Sequence, residues 1–560
     1  MGASRKHVDG ELLYLPLGGV GEIGMNLSLY GYAGKWLMVD LGVSFGDDTM
    51  PMIEVVMPDP AWIAERRKDL VGLVLTHAHE DHLGAVQYLW RQLKCPIYAT
   101  PFAAGLLHGK LQEVGLANIA PVEIVDLGER FQVGPFDVEM VSLTHSIPEP
   151  NAVAIRTPLG TIVHTGDWKF DPDPLIGLPA DTEALRRLGR EGVLAMVADS
   201  TNVFTPGRAG SEAEVRDSLY ELLGRYTGKI AVGCFATNVA RLESIALAAE
   251  AHDRHVALVG RSLKRVDKVA RGLGYLSGVA PFLDDHDAGY LPNDKLLYLC
   301  TGSQGEPRAA LARIAADDHP HVTLGRGDTA IFSSRIIPGN EKAIFRLQNR
   351  LVKLGVEVVT SKDAFVHVSG HPARDEMTEM YQLVRPRLAI PVHGEARHLR
   401  EHCALARAAD VPDTLEIENG ALVRLAPGPA EVIDQIPTGK LGVDGVNEDG
   451  PRLVRLDGEI LRARRRMVYN GSAVVTVVLD GKGRRLGDPL LTALGLLDAE
   501  QEAEEHEAVV DAVCEAIDEL PAKARHSDQV VKEAARRAIR RTLKDMLGHK
   551  PVTDVHLVRV

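Results

Sequence analysis

The chain has 560 residues, of which 45% are hydrophobic and 25% charged, and its formal net charge is −14 at neutral pH. This length exceeds what one hydrophobic core usually organises, so two to four domains are expected, and the composition excludes a disordered chain. The acidic balance argues against unspecific coating of nucleic acid, because phosphate neutralisation needs a surplus of Lys and Arg on the contact face.

The N-terminal segment Met1–Leu12 is polar and lacks the apolar core of a signal peptide. No apolar run reaches the roughly 18 residues of a membrane span, so we expect a cytoplasmic protein without membrane association. The cysteines are odd in number and contain no Cys-x-x-Cys pair, which predicts buried reduced thiols at Cys95, Cys234, Cys300, Cys403 and Cys514.

Three strand-like runs open the chain, at Leu12–Leu17, Asn26–Tyr30 and Trp36–Val39. Residues 19–24 between the first two form a Gly-x-Gly-x-x-Gly pattern, but a strand pattern follows it where a dinucleotide site needs a helix. We therefore predict a glycine-rich hairpin turn. Asp40 ends the third run. It is equally well interpreted as a turn residue or as a residue that supports a nearby site.

The most informative stretch follows the mostly apolar run Leu70–Leu75 and reads Thr76-His77-Ala78-His79-Glu80-Asp81-His82. Imidazole and carboxylate groups bind borderline divalent ions such as Zn²⁺, and the end of a buried strand holds them rigidly. His77 and His79 would project to one side while Asp81 and His82 reach a second position, so there is room for two adjacent metals. Solvated loop histidines are the alternative, but the pattern is far more specific than a lone histidine.

Four ligands cannot complete two metal sites, and three further candidates each follow a strand-like run of their own. His145 follows Val138–Thr144, Asp167 follows Thr161–Gly166, and His393 follows Leu388–Val392. Asp167 could bridge both metals. Each position alone is typical of a turn, but together with the His77 stretch they indicate a metal centre.

A new unit begins after the strand-like run Ala195–Asp199. Ser211 and Glu214 form a capping-box pattern, and strands then alternate with helices up to about residue 361, as in a doubly wound α/β domain. Strand-to-helix turns present free backbone N–H groups that suit phosphate, although they also occur merely as helix caps. Three such turns contain Thr237 and Asn238, Arg261 and Ser262, and residues 301–306.

The chain then returns to the first unit through His367-Val368-Ser369-Gly370-His371 and His393, so the metal domain is discontinuous. Residues 431–458 are rich in Gly and Pro and predict a linker. Residues 459–560 predict a small α+β unit with strands at Met467–Tyr469, Ala473–Leu479 and Val555–Val560 and helices at 498–520 and 528–547. A basic cluster that could contact RNA or a second subunit consists of Arg462, Arg464, Arg465 and Arg466.

These motifs, in this order, resemble the metallo-β-lactamase superfamily in its nucleic-acid-processing β-CASP branch, and most closely the bacterial ribonuclease J family. The resemblance extends from about residue 10 to the C-terminus and includes Asp40, the His77 stretch, His145, Asp167, Asp199 in Ala198-Asp199-Ser200-Thr201-Asn202, His371 and His393. It implies an α/β fold in which an αββα metallo-β-lactamase sandwich, residues 1–210 and 362–430, is interrupted by a doubly wound β-CASP insertion, residues 211–361. The linker, 431–458, and a small α+β C-terminal domain, 459–560, would follow.

The resemblance also implies the roles of the site residues. His77, His79, His145 and Asp167 would hold one Zn²⁺, and Asp81, His82, Asp167 and His393 a second, with Mn²⁺ or Mg²⁺ as alternatives in activity; Asp40 would support these ligands. Asp81, Asp199 and His371 form the expected catalytic set, in which Asp199 orients His371 as the acid for the leaving oxygen. Alternatively, His371 mainly binds phosphate. A 5′-monophosphate pocket is expected from His367, Val368, Ser369, Gly370 and His371 with Thr237, Asn238, Arg261 and Ser262.

RNA is the expected substrate, because similar proteins that act on DNA tend to have valine at the position of His393. The implied activity combines a 5′-to-3′ exonuclease that favours 5′-monophosphate ends with an endonuclease, in RNA decay and in rRNA and mRNA maturation. A purely endonucleolytic β-CASP enzyme and a non-catalytic scaffold of an RNA-decay complex are the alternatives, and the complete ligand set argues against the scaffold. Further expectations are a homodimer or higher homo-oligomer through the C-terminal domain, and RNA-decay partner proteins.

Overall fold

The computed structural model describes residues 10–47, 49–337, 339–447, 450–498 and 501–560. They fall into two compact units: the residues up to Ser44 with Val56–Thr438, and Phe45–Val55 with Gly439–Val560. Residues 1–9, which form most of the polar N-terminal segment, lie outside the described residues. No helix in the described part of the chain is long and apolar enough to cross a membrane.

The chain up to Asp199 consists mainly of strands with helices between them. In chain order the elements are β1 (Leu12–Gly18), β2 (Val20–Gly21), β3 (Leu27–Tyr32), β4 (Lys35–Val39), β5 (Ser44–Phe45), β6 (Val55–Pro58), α1 (Ala61–Ala64), β7 (Leu70–Val74), α2 (Glu80–Leu83), α3 (Val86–Leu93), β8 (Ile97–Ala99), α4 (Pro101–Glu113), β9 (Val122–Ile124), β10 (Arg130–Val133), β11 (Phe136–Ser142), β12 (Asn151–Thr157), β13 (Gly160–His164), α5 (Thr182–Glu191) and β14 (Ala195–Asp199).

The inserted segment alternates strands and helices, as predicted. It contains α6 (Glu212–Leu223), β15 (Ile230–Gly233), α7 (Val239–Ala251), β16 (His255–Val259), α8 (Arg261–Gly272), β17 (Leu283–Asp284), α9 (Asp285–Ala288), a 3₁₀ turn (Asn293–Lys295), β18 (Leu296–Cys300), α10 (Ala310–Ala315), β19 (Thr329–Phe332), α11 (Glu341–Lys353) and β20 (Glu357–Val359). Ser211 and Glu214 form the predicted capping box.

The remaining elements complete the larger unit and build the smaller one. They are α12 (Arg374–Val384), β21 (Leu388–Val392), β22 (Gly394–Glu395), α13 (Ala396–Ala408), β23 (Asp413–Thr414), β24 (Ala421–Ala426), β25 (Glu431–Gln435), β26 (Lys440–Asn447), β27 (Gly450–Arg455), α14 (Glu459–Asn470), β28 (Ser472–Leu479), β29 (Leu490–Thr492), α15 (Ala503–Asp518), a 3₁₀ turn (Ala524–His526), α16 (Asp528–Leu547) and β30 (Val552–Arg559).

Two large sheets form the sandwich of the larger unit. One has the strand order β25-β24-β1-β3-β4-β7-β8-β9 and the other β10-β11-β12-β13-β14-β21-β23. Side chains from both sheets, such as Val39, Val74, Val138 and Ile155, meet in one buried apolar core. This is the predicted metallo-β-lactamase sandwich, in which β1 and β3 pair antiparallel on either side of the glycine-rich segment, as the hairpin prediction requires.

The inserted segment forms a six-stranded sheet in the order β17-β16-β18-β15-β19-β20. All its strand pairs are parallel. Parallel strands need long crossovers, which the helices supply, so the doubly wound prediction is confirmed. The carboxyl ends of these strands consequently share one edge of the sheet.

Two predictions about the C-terminal part were wrong. The supposed linker, 431–458, contains β25, β26 and β27; β25 is largely exposed on both faces, so it shows none of the alternation by which a strand is recognised. Met467–Tyr469 belongs to α14 and not to a strand, because the helix that starts at Glu459 continues through Val468 and Tyr469, which favour strands, to Asn470. The predicted helix 498–520 begins later, at Ala503, and residues 499–500 lie outside the described residues.

The smaller unit has its own core, in which α15 and α16 pack against the sheet β29-β28-β30. The basic cluster on α14 is largely engaged within this unit: Arg464 forms an ion pair with Asp444 at 2.7 Å, and Arg466 pairs with Glu459. All five cysteines are free and buried, as expected.

Candidate metal centre

The predicted ligands meet where strands of the two sheets end. His77 follows β7, His145 follows β11, Asp167 follows β13 and His393 follows β21. Because β13, β14 and β21 are adjacent and parallel, their carboxyl ends place Asp167, Asp199 and His393 at one edge of the sheet. The short helix α2 begins directly after His79 and presents Asp81 and His82 to the same place.

The donor atoms form three overlapping groups, and within each group the atoms lie within 4.8 Å of one another. These groups are His77, His79, His145 and Asp167; Asp81, His82, Asp167 and His393; and Asp167, Asp199, His371 and His393. The first two are the ligand sets expected from the sequence. Asp167 belongs to all three groups, which suits a bridging carboxylate.

The first group has the chemistry of a cation site. Nδ1 of His79 lies 3.0 Å from Nε2 of His77 and 3.0 Å from Nε2 of His145. Burial lowers the pKa of His77 and of His145 well below the usual value, and that of His79 to about 4. Neutral imidazoles with converging nitrogen atoms are suitable ligands for a divalent ion, so the residues present fit a metal.

The second group is held by hydrogen bonds to its imidazoles. Oδ2 of Asp40 lies 2.6 Å from Nδ1 of His82, and Asp40 also accepts hydrogen bonds from the N–H and hydroxyl of Thr76. A proton on Nδ1 leaves Nε2 of His82 facing Asp167 at 3.1 Å. Burial opposes the charged form of His82, but the carboxylates of Asp167 and Asp81 raise its pKa well above the usual value. The supporting contact expected of Asp40 is present.

The third group brings His371 and Asp199 to the edge of the centre. Nδ1 of His371 lies 2.8 Å from Oδ2 of Asp199, whose Oδ1 accepts hydrogen bonds from the N–H and hydroxyl of Thr201. Burial works against protonation of His371, but the carboxylates of Asp199 and Asp167 raise its pKa. Asp199 is thus placed to orient the ring of His371.

The segment His367–His371 lies directly against the centre. The carbonyl of Gly370 lies 2.6 Å from Nδ1 of His145, and a side chain at Gly370 would come within 2.7 Å of that ring. Val368 is buried and His367 half-buried; burial and the positive charge of Arg241 lower the pKa of His367 to about 3. His367 is therefore neutral at physiological pH.

Of the three segments expected to form one phosphate pocket, two are linked to each other and one lies apart. Asn238 and the residue before His367 are linked through Glu212 and Arg241. Asn238 is buried, its Oδ1 caps α7, and its Nδ2 donates to Glu212. This gives Asn238 a structural role, and its phosphate contact stays a prediction that would rest on the second N–H of the amide. Thr237 is half-buried beside it. Arg261 and Ser262 line a separate cleft whose described lining includes neither residues 367–371 nor a predicted metal ligand.

Two residues near the centre were missed in the sequence. Nδ2 of Asn202 donates to Oγ of Ser369 at 2.7 Å and to the carbonyl of His371 at 3.1 Å, and Arg335 approaches Oδ1 of Asn202 at 3.4 Å. Asn202 stands in the same motif as Asp199, and Arg335 follows β19 closely. The rule that strand ends carry site residues would have indicated both.

Four domain families match this chain and together cover most of it. Residues 21–222 match the metallo-β-lactamase superfamily, 227–351 the ribonuclease J β-CASP domain, 339–415 the Zn-dependent metallo-hydrolase RNA specificity domain, and 459–560 the ribonuclease J C-terminal domain.

Two ribonuclease J proteins are similar to this chain over most of its length. The chain is 46% identical to ribonuclease J of Sinorhizobium meliloti over 557 residues, which are 99% of this chain and 98% of that protein. It is 38% identical to ribonuclease J of Thermus thermophilus, over 85% of this chain and 83% of the relative. A crystal structure of a protein of unknown function from Enterococcus faecalis shares the fold, with a TM-score of 0.51 at 16% identity, over 74% of this chain and 100% of that one. This chain therefore belongs to the ribonuclease J family and is a metal-dependent hydrolase that acts on RNA.

Proposed function

We propose that the enzyme degrades RNA in the 5′-to-3′ direction from a 5′-monophosphate end and also cleaves internally. The observation that supports this best is the 2.6 Å contact between the Gly370 carbonyl and His145. A phosphate bound by the loop Ser369-Gly370-His371 would lie at a fixed offset from the metal ligands. A fixed offset between a terminal phosphate and the cleaved bond favours stepwise removal of nucleotides.

The hydroxyl of Ser369 is the proposed donor to that phosphate. Its oxygen accepts hydrogen bonds from Nδ2 of Asn202 and, at 3.2 Å, from the N–H of His371. With both acceptor positions used, the hydroxyl proton is left to donate outward. A hydrogen bond to a charged phosphate is stronger than one to a neutral group, which would favour a 5′-monophosphate over a 5′-hydroxyl end.

We assign two divalent ions to the centre, with Zn²⁺ as the first candidate and Mn²⁺ or Mg²⁺ as alternatives. His77, His79, His145 and Asp167 would hold one ion, and Asp81, His82, Asp167 and His393 the other. Bound ions of this kind lower the pKa of water and neutralise charge on the attacked phosphate. Asp199 orients His371, which donates a proton from Nε2 to the leaving 3′ oxygen.

The remaining assignments are also proposals. The domain limits at residues 210, 361 and 430, a homo-oligomer formed through the C-terminal domain, and binding of RNA-decay partner proteins rest on the family resemblance. A cytoplasmic location would give the enzyme access to cellular RNA, and roles in RNA decay and in rRNA and mRNA maturation fit the same activity.

One experiment tests the proposed activity. An internally labelled RNA is prepared with a 5′-monophosphate, a 5′-triphosphate or a 5′-hydroxyl end and incubated with metal-loaded enzyme and with an Asp81→Ala, His82→Ala variant. Mononucleotides released fastest from the monophosphate RNA, and absent with the variant, are the expected result. Internal fragments alone, produced at equal rates from all three RNAs, would instead identify a purely endonucleolytic enzyme.

A further inference from the structure

An open cleft of about 740 Å³ lies at the carboxyl edge of the six-stranded sheet. One wall follows β16 and includes Gly260 and Arg261, and the other follows β18 and includes Thr301 and Arg308. The metal ligands proposed above are absent from its described lining. The cleft is therefore distinct from the metal centre.

The topology of the sheet explains why a cleft forms there. β16 and β18 are adjacent and parallel, but α8 packs against α7, whereas α10 and α11 share a core with the opposite face of the sheet. The chain thus leaves these two neighbouring strands toward opposite faces, and such a switch point opens a crevice in which α/β domains bind ligands. A side chain at Gly260, where φ is +137°, would come within 2.6 Å of Thr301, so the two turns touch at the floor of the cleft.

The lining is basic although the whole chain is acidic. It contains five Arg or Lys side chains and three carboxylates, an excess of two positive charges before either of its two histidines is protonated. Three of the cations already have carboxylate partners: Lys264 pairs with Asp284 and Asp285, and Arg265 pairs with Glu113. Arg313 faces Asp318, which is not part of the lining, at 3.9 Å. Arg261 is exposed and makes no ion pair with any residue that the structure describes, so its charge is available to a ligand.

The lining also indicates which part of a ligand is recognised. It contains no Phe, Tyr or Trp among the described residues, so no large aromatic platform is present on which a base could stack. Arginines at strand-to-helix turns bind phosphate oxygens without regard to sequence. The chemistry therefore favours a phosphodiester backbone over a nucleobase.

We propose that this cleft binds the backbone phosphates of single-stranded RNA, as a contact separate from the metal centre. The inference rests on the proposed function in that the bound RNA is the substrate of the same enzyme. Arg261 on one wall is the principal contact. Arg313 on the other wall faces Asp318 with Nε and Nη2 and offers Nη1 as a second contact. They would hold the RNA at a distance from the cleaved bond, so only RNA long enough to reach both sites gains affinity.

Binding can be measured separately from cleavage by fluorescence anisotropy, in an Asp81→Ala background, with a long single-stranded RNA and with a trinucleotide, both carrying a 5′-monophosphate. Arg261→Gln and Arg313→Gln are compared with Arg346→Gln, which removes an exposed arginine on α11 outside the cleft. Each lost phosphate contact should weaken binding of the long RNA by about fivefold at 0.1 M salt and reduce the salt slope by about 0.7. The trinucleotide should bind all three variants equally.

The outcomes separate this proposal from its rivals and from the proposed function. Affinity and salt slope equal to those of Arg346→Gln would overturn the RNA contact. Saturable binding of AMP or inorganic phosphate that is lost in Arg261→Gln, with unchanged binding of the long RNA, would also overturn it and identify a site for free nucleotides. Failure of the proposed function would instead appear in the cleavage assay. The two results are independent, because binding is measured without cleavage in the Asp81→Ala background.

Discussion

Oδ2 of Asp199 lies 2.8 Å from Nδ1 of His371, although the two residues are 172 positions apart in the chain. The other oxygen of the carboxylate is engaged by Thr201. Asp199 therefore has the contacts of a residue that orients a catalytic imidazole, even though its oxygens are also close enough to Asp167 and His393 to help bind a metal.

Replacing Asp199 with Asn distinguishes these two roles. An amide cannot stabilise a protonated His371 as a carboxylate does, so we expect kcat on RNA to fall by about 10²-fold while KM changes little. Bound metal, measured by elemental analysis, should stay at the wild-type level. As a control, Glu379→Gln removes an exposed carboxylate that pairs with Arg208 and should alter neither quantity. Loss of metal together with activity would make Asp199 a ligand.

Asn202→Ala tests the proposed donor loop without touching the metal ligands. Asn202 fixes both Ser369 and the carbonyl of His371, so its loss should leave the Ser369 hydroxyl free to rotate away from the phosphate. A hydrogen bond to a charged group is worth about 1.5–3 kcal/mol, so the preference for 5′-monophosphate over 5′-hydroxyl RNA should fall by about 10-fold or more.

The same variant should retain more of its cleavage at internal sites, because an internal bond needs no terminal phosphate. Asn349→Ala removes an exposed asparagine from α11 and should keep the wild-type preference. Equal losses of exonuclease and endonuclease activity in Asn202→Ala would count against a dedicated 5′-phosphate loop.

The cluster of candidate ligands could be predicted from the sequence because most of its members follow a strand with a recognisable apolar pattern. The surroundings of Asn238 could not, since a strand-to-helix turn that binds phosphate and one that only caps a helix have the same residues. The strands in 431–458 were missed for another reason: β25 is exposed on nearly every position, and alternation is visible only where one face is buried. The motifs that contain Asn202 and Ser369 can indicate them as site residues one by one, but the hydrogen bond that pairs them is a tertiary contact that no local pattern contains.

A buried ion pair supports the loop from behind and predicts a pH dependence of stability. Arg241 donates to both oxygens of Glu212 and to the carbonyl of Val366, next to His367. Although burial disfavours the charged form, Arg241 lowers the pKa of Glu212 below its usual 4.5. The ionised carboxylate therefore contributes stability that is present above pH 4.5 and is lost as the pH falls through the lower folded-state pKa.

Glu212→Gln should consequently lower the free energy of unfolding by about 3 kcal/mol at neutral pH, because it leaves Arg241 buried without its counter-charge. The difference from the wild type should shrink on acidification below pH 4.5, as the wild-type carboxyl is protonated as well. Urea denaturation of both proteins at several pH values measures this difference. A gap that stays constant from neutral to acid pH would show that the ionised carboxylate is not what stabilises the fold.

Asp167 should be the residue on which metal binding depends most. Its carboxylate lies 3.1 Å from Nε2 of His82 and 3.5 Å from Nδ1 of His393, and it belongs to both proposed ligand sets. Removing this carboxylate takes away the one anionic ligand that the two proposed sets share, and leaves the clustered imidazoles without it. We expect Asp167→Ala to lose nearly all bound metal and to lower kcat/KM on RNA by at least about 10³-fold.

Added Zn²⁺ should raise the Tm of the wild type, because binding to the folded state stabilises it, and should leave the Tm of Asp167→Ala unchanged. Asp217→Ala, at an exposed position of α6, is the matched control and should respond to Zn²⁺ as the wild type does. If Asp167→Ala instead retained half of the metal and the full Tm response, one site would be complete without this carboxylate, and the bridging role would be wrong.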